Sequence, residues 1–61
     1  MIQRLRKARK LTQVQLAKRA GLTQGYIARL EGEPALNPSL PTLRRLAKAL
    51  NARVADLLGE H

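Results

Sequence analysis

Twice, at Leu11-Thr12 and again at Leu22-Thr23, a leucine precedes a threonine and an apolar residue stands four places beyond it, Leu16 in the first case and Ile27 in the second. This is a helix-start signal. A threonine oxygen accepts a hydrogen bond from the open first turn, and the leucine before it staples onto the fourth helical residue. Thr12-x-x-Gln15 adds a capping box, and Leu16, Ala17 and Ala20 share the face behind it. Between the two starts lies Gly21, which takes the left-handed conformation that ends a helix at little cost. The pattern predicts one capped helix from Thr12, a turn at Gly21, and a second helix over Gln24–Glu31 that stops at Gly32. Two helices joined by a short glycine-containing turn make a helix-turn-helix unit, here spanning about residues 12–31.

The rest of the chain reads as helix too. Ile2, Leu5 and Ala8 give a first helix of roughly residues 2–9 with a narrow apolar stripe. Residues 33–38 read as a loop, because Pro34 and Pro38 bracket it. Ser39 caps a fourth helix whose stripe is Leu40, Leu43, Leu46, Ala47 and Leu50, with Pro41 in the tolerated first turn and Asn51 as terminator. Val54, Leu57 and Leu58 form a short fifth helix ending at Gly59. The expected class is all-α, a compact five-helix domain spanning residues 1–61.

Composition narrows what such a domain can do. With 61 residues, no Cys, and His61 as the one imidazole, the chain has neither a disulfide framework nor a thiolate metal site. A metal or other cofactor is not expected. There is no nucleophile paired with a base and no phosphate loop, so catalysis is not expected either. Apolar runs are too short for a membrane span or signal peptide, which points to a cytoplasmic, nucleoid-associated protein. The formal charge of +8 is unevenly placed: residues 1–30 carry eight basic residues and no acid, while residues 31–61 carry four of each sign. Concentrated positive charge suits a polyanion.

Helical geometry selects the face that would meet it. At about 100° per residue, Ile27 and Leu30 turn toward the core, and Gln24, Gly25, Ala28 and Arg29 turn outward. Gln can bind adenine through two hydrogen bonds, Arg can bind guanine likewise, and Gly and Ala let the backbone approach base edges or a thymine methyl. Glycine inside a helix costs about 1 kcal/mol relative to alanine, and close approach to a ligand is a reason to keep it.

The stretch Leu11-Thr-Gln-Val-Gln-Leu-Ala-Lys-Arg-Ala-Gly-Leu-Thr-Gln-Gly-Tyr-Ile-Ala-Arg-Leu-Glu31 resembles the helix-turn-helix of the lambda repressor and Cro-type family, also called the xenobiotic response element family. The likeness continues through Asn37-Pro-Ser-Leu-Pro-Thr-Leu43 and Leu46-Ala-Lys-Ala-Leu50, covering nearly the whole chain. It implies that the helix from Gln24 enters the major groove of double-stranded DNA while the preceding helix crosses the backbone. On that mapping Gln24, Gly25, Ala28 and Arg29 fall at base-reading positions, and Thr12, Gln13, Thr23 and Tyr26 near phosphates. It also implies that Arg6 and Glu31 pair across two helices. Relative to the family pattern, Lys10 stands where glycine is common, the loop before Ser39 is one residue longer, and Arg53 replaces a capping Ser or Thr.

The resulting expectation is a sequence-specific DNA-binding regulator, a repressor that occupies its operator as a homodimer. Leu57 and Leu58, which are adjacent and cannot both point inward, are the candidate dimer surface. The alternative is an antitoxin or transcription-cofactor module on the same fold, bound to a protein such as a toxin.

Overall fold

The computed structural model describes residues 2–33 and 36–59. Pro34 and Ala35 of the expected loop, and His61, lie outside the described residues. Five helices follow in order: α1 (Ile2–Ala8), α2 (Gln13–Ala20), α3 (Gln24–Gly32), α4 (Leu40–Ala49) and α5 (Val54–Leu57). Their bounds depart from the sequence expectation by about one residue, at the ends of α1, α3, α4 and α5.

The starts are held as their residues require. The Thr12 hydroxyl oxygen accepts from the Gln15 N–H at 3.1 Å, and the Gln15 side-chain oxygen accepts from the Thr12 N–H at 2.8 Å. Thr23 accepts from Tyr26 N–H at 3.1 Å, and Ser39 from Thr42 N–H at 3.4 Å. At α5 the role passes from the first residue to the fourth, since Asp56 accepts from the Arg53 N–H at 2.9 Å. A carboxylate at a helix N-terminus also suits the helix dipole, while Arg53 itself makes no side-chain cap.

Three helices leave by one route. Lys10, Gly21 and Asn51 have φ of 58°, 69° and 52°, and the next residue in each case donates its N–H five residues back: Leu11 to Arg6, Leu22 to Ala17, Ala52 to Ala47. A left-handed residue closing such a bond satisfies carbonyls that the helix end would leave open. At Gly21 a Cβ would meet only the end of the Arg45 side chain, at 3.8 Å, so conformation and not space calls for glycine.

The core gathers at the meeting of α2, α3 and α4. Leu16, Ile27, Leu46 and Leu50 are fully enclosed, with Leu11, Ala17, Ala20, Ala47 and Leu57 around them. Burying each large side chain is worth about 1.5–3 kcal/mol, and the alanines on α2 let neighbouring helices approach. Two expected stripe members are not inside. Ala8 is exposed, and the inward face of α1 is Ile2, Leu5 and Arg6. Leu40 is also exposed, because it opens α4 ahead of the turn that reaches the core.

Candidate nucleic-acid interface

The helix-turn-helix unit is tied to the rest of the domain by one buried cation. Arg6 donates from Nε to Glu31 Oε2 at 2.6 Å, from Nη2 to Glu31 Oε1 at 3.0 Å, and from Nη1 to the Leu11 carbonyl at 2.8 Å. Three elements are thereby pinned together: α1, the residue leading into α2, and the C-terminal part of α3. The two side chains are 10% and 4% exposed. A two-pronged Arg–carboxylate pair is among the stronger polar contacts. Burial pushes the Glu31 carboxyl up, but the hydrogen bonds from Arg6 and Gln13, with the charges of Arg6 and Lys7, outweigh it and hold the group below the usual carboxylate range. The hydrogen bond to Glu31 raises Arg6 above its ordinary value against the effect of burial.

From Glu31 the polar contacts run outward. Gln13 donates from Nε2 to Glu31 Oε1 at 3.1 Å, and Gln24 donates from Nε2 to Gln13 Oε1 at 2.9 Å. The first residues of α2 and α3 are therefore linked side by side. Gln24, Gly25 and Arg29 are exposed and Ala28 is half-buried, so the structure brings these four to one outward strip of α3. Thr12 and Thr23 are exposed and Tyr26 is half-buried. Each threonine oxygen is occupied by its cap bond, yet its hydroxyl hydrogen is free to donate. Gly25 has open space where a Cβ would sit and no positive φ, so the free domain does not itself require glycine there.

Two arginines have partners that the sequence reading did not assign, one local at i,i+4 spacing and one distant. Arg29 Nε lies 3.6 Å from Glu33 Oε1, in a pair 60% and 54% exposed. Arg9 donates from Nε to the Leu50 carbonyl at 2.8 Å and from Nη2 to the Asn51 carbonyl at 3.3 Å. Arg9 thus holds α1 to the C-terminal end of α4, where a cation complements the dipole. Its spacing of three from Arg6 was the available signal, since both fall beside Ile2 and Leu5.

The candidate dimer pair divides. Leu57 is buried in the core, whereas Leu58 is 56% exposed. Leu57 is thus corrected from surface to core, because the four-residue helix α5 lays it over α4. Both border a groove of about 440 Å³ whose lining also includes Ile2, Leu30, Leu36 and Leu43. Among the described residues no helix is long and apolar enough to cross a membrane, and no three His, Cys, Asp or Glu gather as metal ligands.

A helix-turn-helix family profile matches residues 2–57. The chain belongs to the helix-turn-helix family. This domain has the all-α, five-helix, lambda repressor-like arrangement. It is 49% identical over 59 residues to the immunity repressor protein of Bacillus phage phi105, covering 97% of this chain and 40% of the phage protein. It is 48% identical over 54 residues to Antitoxin HigA1 of Mycobacterium tuberculosis, covering 88% of this chain and 36% of the antitoxin. The domain therefore spans about two fifths of the length of these curated relatives.

Proposed function

We propose that this domain binds double-stranded DNA at a specific sequence and represses transcription by occupying it. The carrying observation is the outward strip of α3, where Gln24, Gly25, Ala28 and Arg29 lie together on a helix that Glu31 locks to Arg6 of α1 and Gln13 of α2. Gln24 and Arg29 read base edges, and Gly25 and Ala28 leave room for the backbone to approach. Thr12, Gln13, Thr23 and Tyr26 meet phosphates at the two helix starts, where unpaired N–H groups favour anions. The similarity to a phage immunity repressor supports the repressor role. Such a protein acts in the cytoplasm, at the nucleoid, without a cofactor and without catalysis. Selection from a random duplex library tests the assignment: Gln24→Ala and Arg29→Ala each relax preference at a different base pair, by about 1–3 kcal/mol, with the fold intact. If neither change alters the selected sequence, the assignment fails.

A homodimer is the natural binding form, since one small module makes a limited interface and paired half-sites match two-fold proteins. Leu58, exposed beside a groove lined by both apolar side chains and the polar Glu33 and Asn37, is the surface residue that supports it. Light scattering across concentration checks this, and a strict monomer both free and on DNA rejects it. A second reading, an antitoxin that also binds a protein partner such as a toxin, is favoured by the similarity to Antitoxin HigA1. A partner that co-purifies irrespective of Gln24 and Arg29 distinguishes this reading, or a transcription-cofactor role, from the first.

A further inference from the structure

The polar chain that ends at Gln24 begins at a group that can only accept. An ionised carboxylate has no hydrogen to give, so the Gln13 atom facing Glu31 Oε1, at 3.1 Å, must be its NH2. The amide is planar and its two ends differ. With its NH2 turned inward, Gln13 turns its Oε1 toward Gln24, and an amide oxygen can be met only by a donor. Gln24 therefore gives one N–H to it, at 2.9 Å. What Gln24 retains is its own Oε1 and its second N–H, one acceptor and one donor in fixed order.

We propose that Glu31 determines the base preference of Gln24 without touching DNA, by fixing through Gln13 the direction in which the Gln24 amide is presented. The proposal rests on Gln24 being a base contact. An acceptor beside a donor complements adenine, whose major-groove edge shows the N6 donor and the N7 acceptor; guanine shows two acceptors there. Once Gln13 is released from the carboxylate, either of its ends can face Gln24, and Gln24 can then offer either order. Arg6 serves this arrangement by keeping Glu31 charged and immobile, with both carboxylate oxygens engaged. Glu31 is a positioning residue, and the property it controls is discrimination rather than affinity.

The test compares affinities for duplexes that differ at one base pair, chosen as the pair whose preference Gln24→Ala abolishes. For the parent domain the expected preference there is about 5- to 150-fold. Two variants cut the chain at different points. Gln13→Met removes the amide and leaves the Arg6–Glu31 pair intact. The double variant Arg6→Met with Glu31→Met removes the carboxylate and its counter-ion together, an exchange that commonly leaves folding near neutral, whereas removing one partner does not. In both variants, with helicity unchanged by circular dichroism, preference at that pair falls below about 3-fold while the pair read by Arg29 keeps its own. A uniform loss of affinity with the ratio preserved in the folded double variant overturns the proposal, because it assigns Glu31 a purely structural role. If Gln24→Ala leaves every preference unchanged, base reading by Gln24 falls and this inference falls with it, an outcome distinct from the first.

Discussion

Helix α3 carries an acid near its end and another just beyond it, and each is paired with an arginine, but the two pairs do opposite work. On the inner side, Glu31 meets Arg6 in a two-pronged contact almost closed to solvent. On the outer side, Glu33 meets Arg29 at 3.6 Å with more than half of each side chain exposed. The same ionic chemistry is thus a structural tie in one place and a loose contact in the other. Solvent decides the difference: water screens the outer pair and lets it exchange for another anion, while the inner pair has only its hydrogen bonds to offset the loss of hydration.

Breaking the inner pair from one side is the most damaging change expected. Arg6→Ala or Glu31→Ala leaves a buried charge unpaired at a cost of about 3–5 kcal/mol, comparable to the whole stability of a domain this small. Thermal melts should show both variants largely unfolded at room temperature. An Arg6→Ala variant that keeps its melting temperature and its DNA affinity would show that the inner pair is no tie at all.

Acid should undo the same contact gradually. The folded Glu31 group titrates below its ordinary value, so its contribution is fully present above the usual carboxylate range and is lost as pH falls through the lower folded value. Melts from neutral pH downward should fall through that window in the parent, and the Arg6→Met, Glu31→Met double variant should lack this component.

A smaller effect of the opposite sign is expected beside the inner pair. Lys10 holds φ of 58° without being glycine, in the turn that sets the Leu11 carbonyl on Arg6. Lys10→Gly removes the steric cost of that conformation, net of the freedom glycine adds to the unfolded chain, and should stabilise by about 1 kcal/mol. For a domain of this size that is about 4–8 °C in Tm, with base preferences unchanged.

The outer pair should give the smallest change in stability. Glu33→Ala alters it by less than about 0.5 kcal/mol. Its visible effect is on DNA, where removing an acid beside Arg29 raises affinity in a titration at low salt. Unchanged or weaker binding would place Arg29 away from the nucleic acid.

What could be read in advance follows the distance over which each contact acts. The starts of α2, α3 and α4, the turn at Gly21 and the stop at Asn51 depend on residues within five places of one another, and all were legible from residue type and spacing. The inward face of α1 was not. Apolar spacing selected Ala8 where the fold buries Arg6, because a guanidinium is welcome inside only when a carboxylate and a carbonyl from elsewhere receive it. Leu40 and Leu57 exchanged places for a related reason: helical periodicity states which side of a helix is apolar, but not how far along its axis the neighbouring helices reach. The link from Glu31 through Gln13 to Gln24 had no local signal, since glutamines on a helix surface are ordinary.

The sequence by itself therefore determined five helices, three of them with capped starts, the helix-turn-helix unit, and the residues that α3 turns outward. Family resemblance already implied that Arg6 pairs with Glu31, and the pair is present in the structure; only tertiary structure decided that it is internal and that Arg9 reaches the end of α4. Arg6 and Glu31 stand 25 residues apart, and Arg9 and Leu50 stand 41 apart. Capping energy is local and is written in neighbouring residues, whereas the cost of burying a charge depends on which distant groups the packed helices bring to meet it.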